Sequence, residues 1–323
     1  MRKSVKVFVI IASSLVGIGI LFLCLSFLMG GANLLFKPNG FAVDYKLNTA
    51  TFDEVDSIEV IDISNDVKIV KGESGAVKVT YAESEKFGYS LKQHGGKLTV
   101  EYKDYRQWFE FFGIFIGYDY NLVVEVPEEK LDSLDVSNVS GDVLVDDIRA
   151  NEVNLKTTSG DITTSGNMGD LHTSSTSGAV SVSGTFDGDV KASCTSGEIK
   201  LNNITAKDVN LSVTSGDIKI NNANLSSVET DTMSGDIELE KLICTGDIDA
   251  DTTSGDVEFD SVNAENYTVN TTSGKVDAEI LEPKIYNVST VSGNTNVPKN
   301  ISSSEGYFNA ETVSGNIKVE VVN

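Results

Sequence analysis

The sequence predicts an all-β chain: a parallel β-solenoid, single-stranded β-helix-like, with coils of about 19 residues, preceded by one N-terminal transmembrane helix. Three observations predict it. Ser-Gly pairs stand at Ser140, Ser159, Ser177, Ser196, Ser215, Ser234, Ser254, Ser273, Ser292 and Ser314, at gaps of 18 to 22 residues. Aligned on that Ser, apolar residues dominate the positions six and four before it and three and five after it, as in Val209, Leu211, Ile218 and Ile220. Residues 7–29 carry no charged side chain.

The uncharged run comes first in the chain. Its 23 residues make roughly 34 Å of helix, enough to cross a bilayer. A cleaved signal peptide has an apolar core of only ~7 to 15 residues, so an uncleaved anchor over residues 1–31 is the expectation. Cys24 follows the bulky Leu23 and is read as a plain membrane residue rather than a lipid acceptor. Arg2, Lys3 and Lys6 precede the span and only Lys37 closely follows it, which places the N-terminus in the cytoplasm and the remainder outside the cell membrane. Residues 32–56 show little periodicity and read as a tether.

From 57 to 133 strand-like runs such as Val77-Lys78-Val79 and Leu122-Val123-Val124 alternate with turn signals at Asn65-Asp66, Ser74-Gly75 and Gly95-Gly96. They read as irregular early coils or a capping sheet, because terminal repeats are atypical. Within them lies an apolar segment containing Trp108, Phe109, Phe111, Phe112 and Phe115. One reading is a hairpin or plug over the solenoid's N-terminal end. The other is an exposed loop that touches a membrane surface or a partner.

The repeat region, 134–323, alternates inward and outward, breaks at Ser-Gly, and alternates again. Two short strands therefore meet at a corner, and a third turn must close the coil. An antiparallel meander is the alternative to stacked coils. Retention of residue type at one offset in copy after copy favours stacking. Two residues before the Ser, a column rich in Thr (Thr157, Thr232, Thr252, Thr271, Thr290 and Thr312 among them) points inward and is expected to bond from coil to coil. The corner Gly supplies a backbone conformation that Ser or Thr would resist. The last strand pattern, Ile317 to Val322, has no capping helix after it, so an open C-terminal coil is expected to invite end-to-end self-association or a partner strand.

Chemistry is sparse. After the Ser-Gly, Glu198, Asp217, Asp236 and Asp256 fall on four successive coils, giving a carboxylate row near 4.8 Å spacing whose repulsion a cation such as Ca2+ would relieve. The alternative is that these side chains bond to corner backbone groups, a common role for Asp in turns. His94 and His172 lack metal-ligand partners at usable spacing, and no phosphate loop or serine-nucleophile motif occurs. No cofactor and no enzymatic activity are expected. Beyond residue 31 the formal charge is −26, which disfavours nucleic acid and anionic lipid as simple electrostatic partners and favours solubility, cations or a basic partner. Cys194 and Cys244 occupy different columns more than one coil apart, so no disulfide is expected.

The run Leu122-Val-Val-Glu-Val-Pro127, then Leu131, Leu134 and Val136, then Val139-Ser-Gly-Asp-Val143 and the Thr-Ser-Gly-Asp-Ile copies, resembles the bacterial "putative adhesin" family, a domain of unknown function that includes LiaG-like proteins of cell-envelope stress operons. The resemblance spans about residues 57–323 and implies a membrane-anchored extracellular β-solenoid with no assigned catalytic or ligand residues. The functional expectation is a non-enzymatic binding or scaffold module of the cell envelope whose partner is an envelope protein or glycan. The alternatives are an accessory or sensor of an envelope stress response acting on a membrane partner, and a carbohydrate-processing β-helix enzyme.

Overall fold

The computed structural model describes residues 45–106, 121–300 and 305–322. The N-terminal strands are β1 (Lys46–Phe52), β2 (Ser57–Ile61), β3 (Val67–Lys71), β4 (Val77–Glu83), β5 (Phe87–His94), β6 (Lys97–Asp104), β7 (Leu122–Val126) and β8 (Leu131–Ser137). Their alternating apolar residues are buried on one side only, as period-2 strands require. Here the stacking order departs from the chain order. Strand β2 lies between β6 and β8 in two parallel ladders, so Ile58 faces both Leu98 and Leu134. Strand β3 likewise has β7 on one side. Outside this layer the pairing turns antiparallel, with β5 on β6, β4 on β7 and β1 on β4. Parallel early coils and an antiparallel sheet thus coexist in this part. Residues 46–52, read from sequence as tether, form strand β1 of that cap. The apolar run 7–29 and the aromatic segment lie outside the described residues. Among the described residues no helix is long and apolar enough to cross a membrane.

The repeat region follows as β9 (Val143–Ser159), β10 (Ile162–Ser177), β11 (Val180–Phe186), β12 (Val190–Ser196), β13 (Ile199–Thr205), β14 (Asp208–Ser215), β15 (Ile218–Leu225), β16 (Ser227–Ser234), β17 (Ile237–Cys244), β18 (Asp247–Ser254), β19 (Val257–Val262), β20 (Asn266–Ser273) and β21 (Val276–Ile280). Strands before the corner stack on one another, and strands after it do the same, all in parallel. Val190 faces Val209, Val209 faces Val228, Val228 faces Ile248 and Ile248 faces Tyr267. After the corner, Ile199, Ile218, Ile237 and Val257 form the matching column. The antiparallel meander is thereby excluded for the repeats. Every residue in these two columns is buried.

The third turn lies seven residues after the Ser. Asp147, Asn203, Asn222, Lys241 and Ser261 have φ between 51° and 59°, and Gly166 and Gly184 take the place in their coils. This single left-handed residue bends the strand and starts a short third side, which buries Ile148, Ile204, Ala223, Leu242 and Val262 in the core.

The C-terminal strands are β22 (Ile285–Ser292), β23 (Thr295–Asn296), β24 (Tyr307–Ser314) and β25 (Ile317–Val321). Strand β24 pairs with β20 on one side and with β22 on the other. Strand β25 lies against β21 and touches β23 at two residues. The last coil of the chain is therefore tucked inside, and the Ser292 coil forms the end of the stack. This corrects the expectation of an open end at Ile317–Val322. Core filling explains the order. Phe308, Ala310, Ile317 and Val319 of the last coil are fully inward, whereas Val288 and Thr290 of the Ser292 coil are only half-buried and Thr295 is exposed. Phe308 also continues an aromatic pile, 5.1 Å from Tyr267 and 6.4 Å from Tyr286 between ring centres.

Candidate functional site

Each corner is built by three columns. At Gly216, φ is +142° and an added Cβ would stand 2.0 Å from the Gly197 carbonyl oxygen, so only glycine lets successive coils close to their ladder spacing. The inward column two residues before the Ser then uses those carbonyls. Thr232 Oγ1 donates to Gly216 O at 3.2 Å, Thr252 to Gly235 O at 3.2 Å and Thr271 to Gly255 O at 3.1 Å. Cys194 Sγ does the same toward Gly178 O. Thr312 donates to Gly274 O and Thr290 to Gly315 O, which repeats the out-of-sequence order of the last two coils. The coil-to-coil bonding expected of this column is present, with the glycine carbonyl as acceptor.

The residue after each Gly forms an outward ladder. Asp217 Oδ1 accepts the Asp236 amide at 2.9 Å, Asp236 Oδ1 accepts the Asp256 amide at 2.7 Å, and Asp256 Oδ1 accepts the Lys275 amide at 2.8 Å. Asp142 and Asp161 repeat the pattern. Glu198 instead pairs with Lys200 and Lys219. The structure therefore brings the predicted row into one line and gives its aspartates backbone partners, the arrangement that turn chemistry anticipates. Among the described residues no group of three or more His, Cys, Asp or Glu side chains is placed to hold a metal. Cys194 and Cys244 are buried free thiols. Burial pushes the Cys244 thiol up to about 11.

The face before the corner carries the feature that the sequence reading missed. Its outward columns lie five and three residues before the Ser. Toward the N-terminal half they hold Lys156, His172 and Lys191 among the small residues Ser174, Ser193 and Ser212, around a shallow groove of about 400 Å3. Two coils further along they hold Glu229 opposite Asp249 and Asp231 opposite Asp251. Burial, together with the charges of Asp251, Glu229 and Asp249, raises the Asp231 pKa above its usual value. Asn210 and Asn270 donate to Glu229 and Asp251 from the flanking coils. The first stretch also carries Asp135 in the groove and Glu152, Asp170 and Asp189 in the column seven residues before the Ser, so carboxylates run the length of this face and the two lysines sit among them. The face after the corner is different: Lys200, Lys219 and Lys318 each pair with a carboxylate. The signal was present in the outward columns, where Asp135, Asn154, His172, Lys191, Asn210, Glu229 and Asp249 succeed one another five residues before the Ser. His94 lies at the end of β5, far in sequence from His172. Trp108, Phe109, Phe111, Phe112 and Phe115 lie outside the described residues.

Stacked coils that lock every side chain into a vertical column define a β-solenoid repeat protein, a class that presents long ordered faces. The chain belongs to the Toastrack DUF4097 family, whose profile matches residues 55–242 and again 225–323. No curated protein matches the chain. Among solved structures, it is similar to a "putative lipid binding protein" from Parabacteroides distasonis, at 13% identity and a TM-score of 0.43, covering 86% of this chain and 97% of that one. A "putative adhesin" from the same organism gives 13% identity and a TM-score of 0.44, covering 84% and 98%. A "putative adhesin" from Bacteroides fragilis gives 14% and 0.36, covering 85% and 97%.

Proposed function

We propose that the chain is a non-enzymatic display module of the bacterial cell envelope, held at the membrane by residues 1–31 and presenting its solenoid outside the cell to an envelope protein or glycan. The observation that carries this reading is the register of the coils: each outward position is repeated at ~4.8 Å along the stack, which suits recognition of an extended surface. Membership of the Toastrack DUF4097 family supports the repeat architecture on which this reading rests. The uncharged run 7–29, with Arg2, Lys3 and Lys6 before it, supports the anchor and its orientation.

The test uses the full chain in intact cells. Asn202→Cys, on the face after the corner, is to be labelled with a membrane-impermeant maleimide. Labelling without lysis is expected, and labelling only after lysis would overturn the external location. Photo-crosslinking from the same face is expected to capture an envelope component. Replacing residues 1–31 by an unrelated anchor should preserve that capture; its loss would favour a role exerted through the span.

A further inference from the structure

We propose that the slot filled by the coil of residues 305–322 is also filled by the same coil of a second copy, so that two copies trade C-terminal coils and are joined at that end. This goes beyond display of a face and holds whether or not the display reading does.

The order of the end coils makes the slot. Strand β22 precedes β24 in the chain but lies beyond it in the stack, and among the described strands β22 and β23 pair with β24 and β25 alone. The other side of the inserted coil is held by β20 and β21. Gly274 N donates to Ser314 O at 3.1 Å and Val276 N to Asn316 O at 2.9 Å, while Gly315 N donates to Ser292 O at 3.1 Å and Ile317 N to Asn294 O at 2.9 Å. Stack order and chain order disagree here, so either this coil enters between two coils already made or the Ser292 coil waits for it. Both routes pass through a state with the slot open. In that state two parallel ladders stand unpaired, which is the condition for capturing a strand from elsewhere.

The slot fits this chain's own sequence. Gly306 enters between two coils with φ at +74°, an added Cβ would lie 2.0 Å from Glu265 O, and its carbonyl accepts the Ile285 amide at 3.0 Å. Two residues on, Phe308 sits between Tyr267 and Tyr286. Thr312 reaches Gly274 O, and Lys318 Nζ lies 3.6 Å from Asp277 Oδ1. Collapse of the end coil into the open slot would set Thr295 against Val276 in place of Ile317, which fills the core less well. An occupant therefore needs Gly, Phe, Thr and Ile at these offsets, and a second copy carries all of them. Exchange remakes every contact of the slot, so what it costs falls on the connection alone. That connection, from β23 to β24, is the ten residues 297–306, which reach about 33 Å when extended. In a chain of net charge −23 the sequence 283–304 has no acidic residue, so two such ends approach against less repulsion than other parts of the surface would meet.

The experiment is disulfide trapping on the full chain in mild detergent, in a background of Cys24→Ala, Cys194→Ala and Cys244→Ala. Asn270 and Glu311 are exposed neighbours across the β20–β24 ladder, in a register that suits a disulfide. One pool carries Asn270→Cys and the other Glu311→Cys, so a 270–311 bridge between pools reports a coil of one copy seated in the slot of the other. The pools are mixed at high concentration, once as folded protein and once after joint unfolding in urea and refolding, and are then oxidised. A bridged dimer at least about tenfold above the collision background is expected from one or both routes, because seated neighbours meet at a high effective concentration. That background is set by Asn270→Cys mixed with Ser193→Cys, whose thiol lies further along the same outward column. Asn270→Cys and Glu311→Cys placed in one chain should close within that chain in dilute solution, which shows that the variants fold with the coil seated. A bridged dimer at background level by both routes, with the double variant closing normally, would overturn the proposal. A double variant that stays reduced would overturn it too, since the coil would then not fill the slot.

Discussion

The corner glycines can be separated into a conformational and a steric contribution by three substitutions. Gly216→Ala meets both, because its φ is +142° and the new Cβ would lie 2.0 Å from Gly197 O and 2.7 Å from Gly197 C. Gly95→Ala meets only the first, since φ is +60° and nothing lies within 4 Å of the new atom. Gly75→Ala meets neither. A residue held in a sparsely populated region costs about 1–3 kcal/mol. Relieving the contact at Gly216 means opening the space between two coils, and the ladder bonds there are Gly197 N to Ser215 O at 3.1 Å and Ile199 N to Asp217 O at 3.0 Å. Weakening both adds about 1–3 kcal/mol. The expected losses are therefore about 3–5 kcal/mol for Gly216→Ala and about 1 kcal/mol for Gly95→Ala, with Gly75→Ala neutral or stabilising by about 0.5 kcal/mol. Urea unfolding followed by circular dichroism reads all three from midpoint and slope. A Gly216→Ala protein within about 0.5 kcal/mol of Gly95→Ala would refute the steric half of the reasoning, because carbonyl contact would then cost nothing.

Further consequences follow from the columns. Val213 occupies the hydroxyl column, is buried, and faces a position where neighbouring threonines reach the preceding glycine carbonyl, so Val213→Thr should stabilise the solenoid by about 0.5–1 kcal/mol, and Thr232→Val should destabilise it by about 1 kcal/mol; the paired melts check both. Asp231 has a folded pKa above its unfolded one, so the charged form is disfavoured on folding and stability falls as pH rises through that window. Asp231→Asn should therefore raise the melting temperature at pH 7, with the gain fading as the pH drops below the ordinary Asp range. Cys244 is neutral in the fold and ionises there only at about 11, against an unfolded value of 9.0, so stability should decline from pH 9 upward as the unfolded thiol loses its proton first. Cys244→Ala should flatten that part of the alkaline profile, and an unchanged slope between pH 9 and pH 10 would rule the thiol out as its cause.

How much of this was legible in the sequence depends on what repetition encodes. Val209, Leu211, Ile218 and Ile220 were readable as core because strand alternation and stacking act on the same positions in every copy. The third turn was not placed, although Asn202-Asn203 and Asn221-Asn222 carry residues that tolerate the left-handed region. The turn read at Asn65-Asp66 was not matched to the Ser-Gly corners. Ser64-Asn65-Asp66-Val67 stands where later coils have Ser-Gly-Asp-Val, with Asp66 Oδ1 accepting the Asp142 amide at 2.9 Å and Asn65 O accepting from Asn138. Asn in place of Gly hid the match. At that corner the inward column holds Asp62, whose Oδ1 accepts the amides of Ile63, Ser64 and Asn65 while Tyr89 donates to its other oxygen. A buried carboxylate is tolerated there because backbone donors surround it. The groove and the charges on the face before the corner were missed because the columns before the Ser were read inward for packing, and outward positions carry no packing signal.

The order of the end coils could not be read from periodicity for a physical reason. A repeat specifies which residues share a column but leaves open which copy lies above which, since all copies offer the same ladder. Core filling breaks that degeneracy. With Phe308 and Ile317 buried between neighbours, the Ser292 coil is left as the end, where its half-filled interior costs least. The parallel ladder then turns the amides of Tyr286, Val288 and Thr290 away from β24, because Ile285 N already donates inward to Gly306 O at 3.0 Å. Asn300 caps the first of these, its Oδ1 accepting the Tyr286 amide at 2.7 Å. The segment 283–304 also has no acidic residue and includes Lys284 and Lys299, in a chain of net charge −23. Among the described residues of that end coil, the outward edge of β22 offers the amides of Val288 and Thr290, beside one capped by a side chain as natural sheet edges are. The face before the corner offers a much larger area with charges of both signs. A chain that tucks its best-filled coil inside and blunts the exposed one leaves its faces, rather than its tip, as the surface that the proposed display role would use.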